Sequence, residues 1–142
     1  MLHRRVSVLI AVVFLLFPSA LWTAAEEQWT LTLFLSPGCP YNEEALRNVA
    51  AFLRRHPDVK GSGVLIASLG ELIDLRPHAQ ALVGHGLAFA VDAAAGDTHG
   101  ITATPAVVLQ NGEQKVCLLG QPDLERVWEY LREENRCVRC AS

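Results

Sequence analysis

Positive charge is scarce in this sequence of 142 residues. Lys and Arg number 12 against 15 Asp and Glu, so the formal net charge is −3 at pH 7. Arg4 and Arg5 precede every acidic residue, which makes the chain from Glu26 onward more acidic than the whole. A protein that binds nucleic acid needs clustered cations to neutralise the phosphates. We therefore predict no nucleic-acid partner.

Internal repeats, low-complexity stretches and a glycine-rich phosphate loop with its lysine are also absent from the sequence. Of the five histidines, those at positions 56, 78, 85 and 99 lack the spacing of a metal site or a catalytic triad. A zinc site at Cys137 and Cys140 would need two further ligands, and only Cys117 and these scattered histidines are candidates. We expect no bound metal and no cofactor.

The one long apolar run lies at the amino terminus. Residues 6–25 contain no charged side chain, and they follow a short basic segment at residues 3–5. Thr23 and Ala25 supply the small residues that a signal peptide carries just before its cleavage site. We predict a signal peptide over residues 1–25, cleaved after Ala25, and hence export to the periplasm. If it is not cleaved, this segment is long enough to anchor the chain in a membrane.

The rest of the chain is short enough for one domain, which we predict over residues 26–136 with a cysteine-bearing tail at 137–142. The cysteines number four. An exported chain enters an oxidising compartment, where cysteines form disulfides or carry out redox chemistry.

Hydrophobic periodicity in this domain alternates between strand and helix patterns. Period-two or short buried apolar runs predict strands over residues 29–35, 64–67, 87–92, 106–109 and 114–119. Helical spacing predicts a helix over 41–55 with Pro40 at its first position, and one over 71–83 that Pro77 should divide in two. Asn111-Gly112 predicts a hairpin turn, and Asp123 is expected to help cap a last helix. This order is typical of an α/β fold with a mixed sheet and helices on both faces.

Cys39 lies in the turn that joins the first strand to the first helix. Free backbone amides and the positive end of the helix dipole stabilise a thiolate at such a position. Because the thiolate is the attacking species in thiol–disulfide exchange, Cys39 is a candidate nucleophile. The alternatives are half of a structural disulfide or a small buried side chain without chemistry.

Pro105 stands at the entrance to the apolar strand at 106–109. A proline cannot donate to the hydrogen-bond ladder of a sheet, and a cis Thr104–Pro105 bond in a tight bend would explain its position. Residues 29–132 resemble the thioredoxin superfamily in the order of their elements. This order is strand, Cys-Pro turn, helix, strand, Thr-Pro strand, hairpin and closing helix. The resemblance implies a thioredoxin-like α/β fold with a mixed sheet of four to five strands. It also implies that Thr104 lies against Cys39 and that Thr104 and Pro105 form the groove for an extended substrate.

The motif at the candidate nucleophile departs from the dithiol members of that superfamily. They carry Cys-x-x-Cys, whereas here the motif Cys-Pro-Tyr-Asn runs from Cys39 to Asn42. Asn42 has no thiol to resolve a mixed disulfide, although its amide can donate a hydrogen bond to a Cys39 thiolate. Glu43 and Glu44 stabilise the helix start but oppose ionisation of Cys39. Monothiol chemistry, capture of a substrate and resolution by a third cysteine all remain open.

The other three cysteines are predicted to differ in role. Cys117 lies in the second hairpin strand, where we expect a small core side chain. Cys137 and Cys140 are expected to follow the last helix as a structural or transferable disulfide, or as a resolving pair. Cys117 can alternatively pair with either of them, since three complete pairings of four cysteines are possible.

Within the superfamily, the chain resembles the TrbC-type assembly proteins of F-like conjugative pilus systems. The opening strand and helix, the strand at 64–66, the helical segment at 69–83 and the strand that follows Thr104 carry this resemblance. Two hypotheses follow. The first is an exported protein that acts on the thiols and disulfides of cysteine-containing proteins or peptides through Cys39 alone. The second is a non-catalytic periplasmic factor that binds other proteins during pilus or type IV secretion assembly.

Overall fold

The computed structural model describes the backbone of residues 28–112 and 114–140, and their side chains except those of 69, 72–74 and 135–140. The predicted signal peptide and its cleavage site lie outside the described residues. The strands are β1 (Thr30–Leu35), β2 (Lys60–Leu65), β3 (Ala88–Val91), β4 (Ala106–Asn111) and β5 (Gln114–Leu119). The helices are α1 (Asn42–Arg55), α2 (Leu72–Gly84), α3 (Ala95–His99) and α4 (Leu124–Cys140), and a 3-10 turn spans Leu69–Glu71.

The five strands form one mixed sheet in the order β3-β2-β1-β4-β5. β1, β2 and β3 run parallel to one another, whereas β4 is antiparallel to β1 and β5 is antiparallel to β4. The hairpin between β4 and β5 turns at Asn111 and Gly112, and Gly112 has a φ of +54°, as an Asn-Gly turn requires. The predicted mixed α/β sheet is confirmed.

The alternation of side chains along β1 sends apolar groups to both faces of the sheet. Leu31, Leu33 and Leu35 join the main core with residues of α1, α2 and α4. Phe34 points the other way and packs with Ala95 of α3 in a second, smaller cluster. Helices therefore flank both faces, and β1 is buried between them.

β2 begins at Lys60, before the predicted start at residue 64, because two glycines let core leucines pack directly on its backbone. A Cβ atom on Gly61 would stand 2.7 Å from Leu87 Cδ2, and one on Gly63 would stand 2.7 Å from Leu82 Cδ2. Both leucines are buried. Hydrophobic periodicity missed this half of the strand because glycine carries no apolar signal.

The helix α2 runs without interruption from Leu72 to Gly84, so the prediction that Pro77 would divide it is wrong. A proline in a helix removes one backbone hydrogen bond and crowds the preceding turn. Leu75 and Leu82, on either side of Pro77, are both buried in the main core. Tertiary packing on both sides of the proline therefore holds the two halves in one helix.

The last helix α4 extends to Cys140, so Cys137 and Cys140 lie within it and not after it as expected. Residues 124–140 contain neither glycine nor proline, so no local signal ends the helix earlier. Its start is capped as predicted, since the Arg126 N–H donates to Asp123 Oδ1 at 3.2 Å.

The 3-10 turn before α2 is held by a reciprocal pair of contacts between Ser68 and Glu71. Glu71 Oε2 accepts hydrogen bonds from the Ser68 N–H and from Ser68 Oγ, both at 2.8 Å, and the Glu71 N–H donates to Ser68 O at 3.0 Å. The Ser-x-x-Glu spacing is that of a capping box. The backbone N–H of Ser68, followed by its hydroxyl, holds the pKa of Glu71 below its ordinary value.

We expect an NMR titration of the Glu71 carboxyl to give a midpoint below that of an unstructured glutamate. Because the pKa is lower in the folded state than in the unfolded state, these contacts stabilise the fold above the unfolded-state pKa, and the benefit is lost as the pH falls through the folded-state pKa. Ser68→Ala removes the hydroxyl but keeps the N–H, so the midpoint should rise only part of the way. An ordinary midpoint in the unsubstituted protein would contradict this assignment.

Candidate functional site

Cys39 is placed by a tight connection between the buried strand β1 and helix α1. Gly38 has a φ of +75°, a conformation that L side chains rarely adopt, and it turns the chain after β1. The Cys39 N–H donates to Ser36 O at 3.4 Å, and the Asn42 N–H donates to Cys39 O at 3.3 Å. Cys39 is partly buried in this double turn.

Helix α1 begins at Asn42 with Tyr41 as its N-cap residue, so the expectation of Pro40 at the first helical position is wrong. The first helical hydrogen bond runs from the Ala45 N–H to Tyr41 O at 3.0 Å. The extra turn from Cys39 to Asn42 separates the proline from the helix. Cys39 still stands close to the amino-terminal end of α1, as predicted.

The start of β4 lies beside Cys39 because β1 and β4 are antiparallel neighbours, with Phe34 opposite Ala106. The end of β1 and the beginning of β4 therefore share one edge of the sheet. The peptide bond between Thr104 and Pro105 is cis. The Cys39 thiol donates to Thr104 O at 3.4 Å, across 65 residues of sequence.

Two further contacts fix the Thr104–Pro105 segment. Ser36 Oγ and Thr104 Oγ1 are hydrogen-bonded to each other, which ties the Cys39 loop to the start of β4. The Gly120 N–H donates to Pro105 O at 2.8 Å, which ties the other side of the proline to the end of β5. Sequence reasoning missed Ser36, although it opens the same Ser-Pro-Gly-Cys-Pro stretch that drew attention to Cys39.

Asn42 lies beneath this loop, only 3% exposed. Its Nδ2 donates to Ser36 O at 2.8 Å, and its Oδ1 has no hydrogen-bond partner among the described residues. The expected hydrogen bond from its amide to Cys39 is therefore not formed in this structure. Asn42 instead holds the loop that carries Cys39.

Several solved structures have an arrangement of strands and helices similar to that of this chain. The chain is similar to an exposed lipoprotein thioredoxin (Etrx1) of Streptococcus pneumoniae, with 16% identity and a TM-score of 0.60 over 76% of this chain and 86% of that one. It is also similar to MTB DsbF, with 16% identity and a TM-score of 0.59 over 71% of this chain and 76% of that one. A secreted disulfide oxidoreductase of Mycobacterium tuberculosis has 14% identity and a TM-score of 0.51 over 69% of this chain and 72% of that one.

The chain has a thioredoxin-like fold. No protein-family model matches the sequence, and no curated protein matches it. At these levels of identity the fold is shared, while the chemistry of the site must be argued from its own residues.

Beside Cys39, a cavity of about 360 Å³ lies between α1 and α2, and we call it the α1–α2 cavity. Leu35 and Leu46 contribute to it from β1 and α1, and Pro77 and His78 contribute from α2. Cys39 also lines this cavity. The sequence offered no signal for the contribution of α2, because the position of this helix over the sheet depends on long-range packing.

Cys117 is exposed on β5, so the expectation of a small core side chain is wrong. Side chains alternate along β5, and Val116 and Leu118 pack on the main core while Cys117 points away from it. The side chains of Cys137 and Cys140 lie outside those that the structure describes, and so does any disulfide they form.

Two features are absent from the described part of the chain. No three His, Cys, Asp or Glu side chains there come together in a group that would hold a metal ion. None of the helices there combines the length and the apolar composition needed to cross a membrane.

Proposed function

We propose that this protein is exported and that it acts on thiols and disulfides of other proteins, with Cys39 as its single nucleophile. The observation that carries the proposal is the contact between the Cys39 sulfur and Thr104 O, at 3.4 Å, beside a cis Thr104–Pro105 bond. It joins a cysteine at a helix start to the segment that leads into β4.

Cys39 stands next to the amino-terminal end of α1. Helix amino termini are a common position for nucleophilic cysteines, and the thiolate is the attacking species in thiol–disulfide exchange. Glu43 and Glu44 lie in the first turn of α1, and both side chains are exposed to solvent. Thr104 O accepts a hydrogen bond from the Cys39 thiol, which places the sulfur beside the Thr104–Pro105 segment.

The reaction balances without a cofactor. The Cys39 thiolate attacks one sulfur of a substrate disulfide, a Cys39–substrate disulfide forms, and the other substrate sulfur leaves as a thiolate that takes a proton from water. Thr104 and Pro105 hold the extended substrate backbone beside Cys39, in the manner of an added strand. Release then requires attack by a second substrate thiol, by an external thiol, or by Cys137 or Cys140.

Export rests on the predicted signal peptide over residues 1–25. The solved structures with similar folds support this proposal, because one is a secreted disulfide oxidoreductase and another is an exposed lipoprotein. An oxidising compartment supplies the substrate disulfides that the chemistry needs.

The test is the trapping of a mixed disulfide. A fluorescent peptide carrying one cysteine activated by thionitrobenzoate is mixed with the purified protein, and the adduct is followed by non-reducing electrophoresis and intact mass. We expect rapid labelling of the unsubstituted protein and the loss of at least about nine-tenths of the rapid phase in Cys39→Ser.

Cys117→Ser is the matched control, because Cys117 is an exposed free cysteine away from the groove. If exposure alone decided the reaction, Cys117 would react at least as fast as the partly buried Cys39. Rapid labelling that persists in Cys39→Ser, or that disappears in Cys117→Ser, would overturn the proposal.

Asn42 favours a second function, that of a non-catalytic periplasmic assembly factor for a conjugative pilus or type IV secretion system. It provides no resolving thiol within the motif, so the same groove can bind an extended peptide without turnover. This reading predicts that an unactivated peptide binds equally well to the unsubstituted protein and to Cys39→Ser. Binding that depends on the Cys39 sulfur would contradict it.

A further inference from the structure

The α1–α2 cavity is built mainly from apolar groups. Leu35 and Leu46 form its floor and are 1% and 2% exposed, and Pro40, Pro77 and Ala81 add apolar wall. Both leucines belong to the main core, so the floor is part of the packed interior. Preformed apolar concavities with a few polar groups at the edge are typical of ligand sites.

The polar groups of the cavity do not favour a negatively charged occupant. Glu43 is the carboxylate of the lining, and its exposed side chain lies 3.9 Å from Arg47 in an ion pair. The Asn42 amide nitrogen is already used by Ser36 O. A negatively charged ligand would meet Glu43 without a dedicated cation, since His78 contributes a charge only when protonated.

The cavity lies next to the proposed nucleophile. Cys39 lines the cavity and also contacts Thr104 O, whereas Thr104 and Pro105 take no part in the lining. When a substrate peptide lies along Thr104 and Pro105 with its cysteine sulfur at Cys39, the peptide side chain next to that cysteine can therefore reach the cavity mouth. The cavity volume of about 360 Å³ equals the volume that on the order of ten molecules occupy in liquid water. This space accommodates one large side chain.

We propose that the α1–α2 cavity is a specificity pocket, which takes a large uncharged apolar side chain next to the reacting cysteine of the substrate. The inference rests on the proposed reaction at Cys39 and deepens it by naming the substrate class. Burying leucine or phenylalanine there removes apolar surface from water without displacing an existing hydrogen bond, so such substrates react faster than alanine counterparts.

The test uses peptides whose single cysteine carries thionitrobenzoate and whose flanking residue, on either side, is leucine, phenylalanine, alanine or glutamate. Attack by Cys39 forms the Cys39–peptide disulfide and releases the coloured thionitrobenzoate anion. The rate due to Cys39 is the difference between the unsubstituted protein and Cys39→Ser. We expect leucine or phenylalanine at one flanking position to react about tenfold faster than alanine, and glutamate to react more slowly than alanine.

Ala81→Phe fills the cavity from α2, and Gln80→Phe adds the same ring at an exposed neighbouring position that does not line it. The preference for leucine should fall below about twofold in Ala81→Phe and persist in Gln80→Phe. Reaction with the small reagent dithionitrobenzoate should be unchanged in Gln80→Phe. The ratio of leucine to alanine rates within each variant cancels any change in the reactivity of Cys39 itself. Because the peptide series on the unsubstituted protein needs no substitution, the proposal is also tested if Ala81→Phe does not fold.

The experiment distinguishes failure of the proposed function from failure of the pocket proposal. If dithionitrobenzoate does not react with Cys39, the proposed function is wrong and the pocket proposal with it. If dithionitrobenzoate reacts but leucine and alanine peptides react equally, only the pocket proposal is overturned. A preference for leucine that survives in Ala81→Phe also overturns it, since the apolar side chain then binds elsewhere.

Discussion

Asn42→Cys is expected to make the release of a Cys39-linked substrate independent of added thiol, and at least about tenfold faster than in the unsubstituted protein. The reason is geometric. The Asn42 N–H donates to Cys39 O at 3.3 Å, which is the closing hydrogen bond of a β-turn. The end residues of such a turn have Cα atoms less than about 7 Å apart, and disulfides span Cα distances of roughly 4.4–6.8 Å. A thiol at position 42 therefore becomes an intramolecular attacking group.

The measurement is the release rate of labelled peptide from the isolated Cys39 adduct over a series of glutathione concentrations. The unsubstituted protein should give a line through the origin, and Asn42→Cys a large intercept. Asn42→Ser is the control, because it also removes the amide that holds Ser36 O but supplies no thiol. A large intercept in the unsubstituted protein would show that another cysteine resolves the adduct, and no intercept in Asn42→Cys would contradict the geometry.

Trp128→Ala is expected to lower the free energy of unfolding by about 3–5 kcal/mol, a large part of the total for a domain of this size. Trp128 is 2% exposed on α4 and lies edge-on to two rings, with centroid distances of 5.3 Å to Trp29 and 5.8 Å to Phe52. Truncation leaves a cavity where α4 meets α1 and the start of the sheet. Urea unfolding followed by far-ultraviolet circular dichroism measures the loss.

Trp128→Phe tests whether packing or polarity accounts for the effect. Trp128 Nε1 is buried without a hydrogen-bond partner among the described residues. Replacement by phenylalanine keeps an aromatic ring and removes this unpaired donor, so the loss should be less than about 1.5 kcal/mol. Equal losses for the two variants, or a loss of under about 1 kcal/mol for Trp128→Ala, would contradict this account.

The sequence predicted four of the five strands and the hairpin to within about two residues, because their signals are local. Asn111-Gly112 marks a turn by its backbone preferences, and Cys39 follows a buried strand and precedes an amphipathic helix. One local signal was overlooked in the sequence: Ser68 and Glu71 have the Ser-x-x-Glu spacing of a capping box, and they are hydrogen-bonded in the structure. Thr104 was expected beside Cys39 only because the chain resembles the thioredoxin superfamily.

The wrong predictions concern features that depend on long-range packing. Pro77 remains inside a helix because Leu75 and Leu82 anchor both of its sides in the core. Cys117 is exposed because the register of β5 against β4, with Cys117 opposite Val108, decides which face it joins. Neither outcome can be read from the neighbouring sequence, since each depends on the packing of other elements.

The amino-acid sequence by itself determined that charge is scarce and mainly acidic, that strands and helices alternate, and that a single cysteine stands before an asparagine at a helix start. Only the tertiary structure decided that Cys39 meets Thr104 O across 65 residues, that Asn42 supports the loop beneath it, and that α2 closes an apolar cavity at its side. The division has one physical cause. Turn preferences and periodicity act within a few residues, whereas the surroundings of a sulfur atom are set by whichever distant segments the core brings against it.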